Sequence, residues 1–266
     1  MKNIRRTLVI SIAHSSLKQR AVAFALLLKD RTNDSSVIRN FTIYKLQKLT
    51  VLKVRGKESK MHYDTIKKYV DVLIKMGLVV IKGCDLYIKK MASSTKHRNI
   101  DISRFKIDKT KNVFEQIREL LFLMVQAHKD YVQSLLRLRK NPPSGVSLPK
   151  LRKVCKKCCG NPDAEYDEYG ISYKKASKFM GCCAKTAFTS IQKAIKRGWC
   201  KKHNRCEVHE MVGVHYREIA GYSYTTENYG FIIRSNTFTL SKFWSKALNV
   251  DASLSRANRY GISDIT

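Results

Sequence analysis

The sequence predicts a mainly helical chain with small β-hairpins, an α+β fold arranged as two units joined by a long helix. Three observations carry that reading. Apolar residues recur at three- and four-residue steps through most of the chain. Short β-prone runs follow two of those helical stretches. All four prolines (Pro142, Pro143, Pro149 and Pro162) fall within one 21-residue stretch, which marks a boundary. The divisions that follow are a first unit at 1–92, a connecting long helix and proline-rich linker at 93–146, a second unit at 147–215, and an aromatic, β-rich extension with a tail at 216–266.

Leu17–Lys29 is apolar nearly all round and predicts a buried helix. Phe41–Thr50 reads as a short helix with Thr42 as N-cap. Residues 51–60 carry basic residues and few structural signals. Asp64–Met76 places Ile66, Tyr69, Val70 and Leu73 on one side, and Gly77 fits a C-cap. Residues 78–90 form two β-prone runs around Lys82-Gly83, a hairpin. Asn112–Lys140 is one helix with a heptad-like seam through Phe114, Ile117, Leu121, Met124, His128, Tyr131, Leu135 and Leu138. Two uses fit it: a dimerisation helix, or a spine inside the chain. The second is favoured because Leu120, Phe122, Leu123 and Val125 widen the stripe.

Beyond the linker, Ser147–Cys159, Ser172–Met180 and Lys185–Arg197 are helical, with Gly160 and Gly198 as stops. Residues 199–211 read as a hairpin turning near Asn204, and 231–240 as another with Ser235-Asn236 in its turn. Tyr222, Tyr224, Tyr229, Phe231, Phe238, Phe243 and Trp244 crowd this region, and core packing accounts for them better than base stacking does. An internal repeat links the halves. A shift of 121 lays Val70 on Ile191, Gly77 on Gly198 and Leu78 on Trp199; a shift of 130 lays Leu46 on Ala176. The difference of the two shifts is nine residues and places an insertion within residues 51–60 of the first copy.

Charge narrows the function. Lys and Arg number 52 against 21 Asp and Glu, a net charge of +31. The excess is spread through segments that also carry apolar periodicity, so it covers folded faces. It argues against an ordinary metabolite enzyme and for a polyanionic partner, nucleic acid first and an anionic membrane surface second. No apolar run approaches the roughly 20 residues that span a bilayer. The basic N-terminus and Thr7–Ala13 are a poor signal peptide, and a short strand or basic arm fits them better. Eight cysteines, paired at Cys158-Cys159 and Cys182-Cys183 or at helical spacing, suit reduced thiols in a cytoplasm.

Short helix, turn, longer helix and hairpin, in FTIYKLQKLT with HYDTIKKYVDVLIKMGLVVI and again in SYKKASKFMGCCAKTAFTSIQKAIKRGWCKK, resembles the winged helix-turn-helix. The resemblance covers about 60 residues in each half. It implies a major-groove helix in each copy, read near its N-terminus. The side chains off the apolar stripe there are His62, Tyr63, Thr65, Lys67 and Lys68 in the first copy. In the second they are Cys183, Lys185, Thr186, Thr189, Ser190 and Lys193. Lys82, Lys89, Lys90, Lys201, Lys202 and Arg205 on the hairpins would reach flanking phosphates. Tandem winged helices resemble those of replication initiators and replisome organisers of phages and plasmids. The expected protein is thus a non-enzymatic, cofactor-free binder of double-stranded DNA. A transcriptional repressor, or an RNA- or polyanion-binding protein packaged in a virion, stands as the alternative.

Rival chemistries are weaker. Cys155-x-x-Cys158 and Cys206-x-x-His209, with Cys200 and His203, have zinc-like local spacing. Yet Leu148, Leu151, Val154, Cys155 and Cys158 also lie at helical steps, as a core face would. Gly181–Thr186 lacks the spacing of a phosphate loop. Asp163, Glu165, Asp167 and Glu168 precede a helix, where negative charge suits the dipole better than it builds a nuclease.

Overall fold

A computed structural model of the protein describes residues 2–32, 36–54, 57–141, 147–159, 170–210, 222–226 and 229–248. Helices hold more residues than strands, and the strands form small antiparallel sheets. The chain divides into two compact units, residues 1–122 with 177–191, and residues 123–176 with 192–266.

The first unit opens with strand β1 (Asn3–Arg5), paired antiparallel with β7 (Asn99–Asp101) so that Ile4 faces Ile100. A short helix α1 (Arg6–Ser11) follows. Helix α2 (Ser16–Arg31) starts on Ser15, whose hydroxyl accepts the Lys18 amide. From Ala21 to Lys29 every side chain of α2 is buried, as an all-round apolar sequence requires. Against it pack α3 (Ile43–Leu49) and α4 (Tyr63–Lys75), with Phe24 and Tyr69 in ring contact at 5.7 Å. Strand β2 (Val37–Ile38) joins the hairpin β5 (Val79–Lys82) and β6 (Asp85–Ile88) in a three-stranded sheet ordered β2-β6-β5. Residues 51–60 are not without structure: β3 (Leu52–Val54) and β4 (Lys57–Ser59) pair there as a second hairpin. Its alternation is too short to stand out in sequence.

Helix α5 (Thr110–Lys140) contributes to both units. Phe114, Ile117, Leu121 and Met124 are buried, as is Leu135, so these seam positions are covered by the chain itself, whereas Tyr131 and Leu138 are half-buried and His128 is exposed. In the second unit Val132 and Leu135 cluster with Leu151 and Cys155 of α6 (Leu148–Cys159). Helices α7 (Tyr173–Met180) and α8 (Ala184–Lys196) come next, joined through Gly181 at φ +62°.

Both expected hairpins past 199 are corrected. Residues Cys200–Glu210 form one strand, β8, which runs past Asn204 without turning. Tyr229–Leu240 likewise form one strand, β10. They pair antiparallel, and β9 (Tyr222–Thr226) adds to the other edge of β10, giving the order β8-β10-β9. The turn-like residues mark a bulge instead. Arg205 pairs Arg234 and His203 pairs Thr237, so Ser235 and Asn236 stand opposite Asn204 alone. Helix α9 (Lys242–Ala247) buries Trp244 against Trp199, ring centres 4.9 Å apart. Phe238 and Trp244 are thus core, as the aromatic crowding suggested.

The repeat is visible in individual hydrogen bonds. Thr42 Oγ1 accepts the Lys45 amide at 3.0 Å; at a shift of 130, Ser172 Oγ accepts the Lys175 amide at 3.1 Å. The Phe41 amide donates to Cys84 O, and the Ile171 amide to Asn236 O. Gly77 donates to Ile74 O and Leu78 to Leu73 O; at a shift of 121, Gly198 donates to Ile195 O and Trp199 to Ala194 O. Each set ends its helix in the glycine-closed pattern that ties up the last carbonyls, with φ +66° and +68° at the glycines. Lys89 then donates to Leu78 O as Ser241 donates to Trp199 O.

Candidate nucleic-acid interface

The start of α4 is an exposed, cationic surface. Its stripe of Ile66, Tyr69, Val70 and Leu73 is buried, which turns Tyr63, Lys67 and Lys68 outward and leaves Thr65 half-buried. Tyr63 is 51% exposed, high for an aromatic ring without an assigned partner. His62 sits at the N-cap position without a side-chain cap bond, and its Nδ1 lies 3.3 Å from Asp64 Oδ2. The carboxylate is the one unfavourable charge for a polyanion in this first turn. At the other end of the helix the β5–β6 hairpin exposes Lys82, and Lys89 and Lys90 follow β6, also exposed.

The start of α8 has a similar make-up. Lys185 and Thr189 are exposed, while Thr186 and Lys193 are half-buried. Thr189 Oγ1 donates to Lys185 O, leaving its lone pairs outward. Thr186 Oγ1 lies 3.2 Å from the exposed Cys183 Sγ. That hydroxyl, then amide bonds at the helix start, hold the Cys183 thiol below its ordinary pKa, whereas burial pushes the neighbouring Cys182 thiol up. Ser190 is a correction. It is 6% exposed, because it falls on the buried arc with Ala187, Ile191 and Ala194. Lys201 and Lys202 on β8 are exposed; Arg205 lies on that strand, but its side chain is outside the described residues.

Two exposed aromatics belong beside these cations and escaped the sequence reading. Phe188 is 45% exposed, one turn after Lys185 and off the Ala187–Ile191 stripe. A helical wheel shows this once the stripe is fixed. Tyr44 on α3 is 57% exposed, with Lys48 Nζ 4.7 Å from its ring centre.

The rival metal site loses its first ligand. Cys155 is fully buried among Val132, Leu135 and Leu151, its Sγ 3.5 Å from Leu135 O. Its burial in this apolar cluster is that of a small hydrophobe. Cys200 is buried, and His203 Nε2 meets Thr239 Oγ1 at 3.0 Å. The side chains of Cys158, Cys206 and His209 and the acidic residues at 163–168 lie outside the described residues. Among the described residues no His, Cys, Asp and Glu side chains gather as a metal would need, and no helix is long and apolar enough to cross a membrane. No protein-family model, curated protein or solved structure matches the chain.

Proposed function

We propose that the protein binds double-stranded DNA, offering the first turns of α4 and α8 to the major groove and the lysines of the β5–β6 and β8–β10 strands to flanking phosphates. The observation that carries the reading is the recurrence of one hydrogen-bonding pattern around two helices whose starts are both exposed and cationic. The order α2-β2-α3-α4-β5-β6 and the sheet order β2-β6-β5 support reading the first copy as a winged helix, with the β3–β4 pair inserted between α3 and α4. One such module makes a small interface. Two in one chain lengthen the site and raise affinity through effective concentration.

The role we assign is origin binding by a replication initiator or organiser of a phage or mobile element, with repression of its own promoter as the nearest alternative. Footprinting tests the DNA reading. The protein should protect a discrete site, and Lys185→Ala with Thr189→Ala should abolish discrimination between that site and random duplex while retaining most of the overall affinity. Equal affinity for RNA and any duplex, unchanged by these substitutions, would leave a general polyanion binder. Direct repeats at the protected site support an initiator, and a single inverted repeat over the promoter supports a repressor.

A further inference from the structure

Within the first unit, the segment from Arg5 to Lys18 and the last turn of α4 border an open pocket of about 600 Å³. That volume is in the range of small-molecule sites. Its charge is one-sided: Arg5, Lys18 and Lys75 line it, and no acidic residue does among those described. Three hydroxyl residues, Thr7, Ser11 and Ser15, join them. Ser15 Oγ accepts the Lys18 amide, so its proton is left to donate, and Ser11 Oγ donates to Leu8 O, so its remaining lone pair accepts. The other wall is apolar, with Leu8 and Leu78 buried beneath and Leu17, 40% exposed, at its edge.

We propose that this cavity binds a phosphorylated small molecule of nucleotide size, with its phosphate held by Arg5, Lys18 and Lys75 and its ring laid against Leu8, Leu17 and Met76. The first turn of α2, to which Leu17 and Lys18 belong, adds the positive end of a 16-residue helix. The opposing dipole end, at the close of α4, is blunted because Gly77 and Leu78 already bond its last carbonyls. A duplex backbone is a poor alternative occupant, having no apolar part to fill a concave floor. Val72, Lys75 and Met76 put the occupant in contact with the last turns of α4. The site stands on the cavity alone and does not depend on where the start of α4 docks.

The test is calorimetric titration of the full chain with ATP, without DNA, at physiological ionic strength. One saturable site is expected. Lys18→Glu should weaken it by about tenfold or more, while Lys106→Glu, a charge-matched change at an exposed position outside the cavity, should leave it within about twofold. Lys18→Glu folds normally because a carboxylate suits the first turn of a helix. Ser11→Phe, which blocks the cavity without changing charge, should also abolish binding. Absence of saturable binding, equal weakening by both charge reversals, or inorganic phosphate competing as well as ATP would overturn the proposal.

Discussion

His14 and Gly181 stand back to back, each in left-handed backbone at φ +62°, so close that a Cβ on Gly181 would lie 2.5 Å from the His14 carbonyl carbon. The His14 amide donates to Phe179 O at 2.8 Å, and its Nδ1 meets Lys178 O at 2.7 Å. Nearby, Gln19 Nε2 donates to Ile12 O and Met180 O. The turn before α8 is therefore clamped to the loop before α2. Gly181→Ala meets backbone, which cannot swing aside as a side chain can. It should cost about 2–4 kcal/mol in urea unfolding, and a loss below about 0.5 kcal/mol would show that the clamp yields.

Asp130 gives the second unit a pH dependence of defined sign. Burial lifts its pKa to about 6, against partial relief from the Gln126 amide at 2.6 Å and from Lys129. Because the folded value exceeds the unfolded one, the folded state holds the proton more tightly. Stability from this group is full below about pH 4 and falls as pH climbs through 6, by at most about 3 kcal/mol. Asp130→Asn should flatten that fall and raise the urea midpoint at pH 7.5 relative to pH 4.5. Parallel pH profiles for the two proteins would refute it.

The chain has two tryptophans, and they touch each other. Intrinsic fluorescence therefore reports the second unit's core alone. Trp244 is fully buried, and Trp244→Ala should cost about 3–5 kcal/mol by that signal, with Trp244→Phe costing less. A small loss on truncation to Ala would place the ring outside the cooperative core.

Chelation separates a core cysteine from a zinc ligand. With Cys155 buried among apolar side chains, excess EDTA should leave the thermal midpoint of the second unit unchanged. Cys155→Ser, which brings a stronger polar group into that cluster, should cost about 1–3 kcal/mol with or without chelator. A midpoint that drops on chelation would return the site to metal.

If α4 faces phosphates, Lys67→Ala and Lys68→Ala should each lower the slope of log affinity against log salt by about one. Affinity should fall evenly across DNA sequences. Unchanged slopes for both would move the interface elsewhere on the chain.

Local rules recovered most of the helices because the signals were redundant. Thr42, Gly77, Ser172 and Gly198 each marked an end that the apolar stripe had already set. The strands past 199 misled for a physical reason. Asn204 and Ser235-Asn236 carry the composition of a turn, yet the pair forms a bulge, and the exposed carbonyl of Asn236 is taken by Ile171, 65 positions earlier. No local pattern contains that partner. Ser190 failed by a smaller margin. A polar residue between Ala187, Ile191 and Ala194 looks like an outward position unless the width of the buried arc is known. The cavity at Arg5 was invisible because its walls come from segments some 60 residues apart, none of them distinctive alone.

The length of β8 and β10 sets a scale for the second copy. At about 3.3 Å per residue, strands of 11 and 12 residues reach roughly 36–40 Å, where the four-residue strands of the first copy reach about 13 Å. That ribbon is as long as one full turn of a B-form helix and carries a joint midway, at Asn236. The two copies are consequently not interchangeable: one ends in a short hairpin, the other in a long ribbon with a bulge.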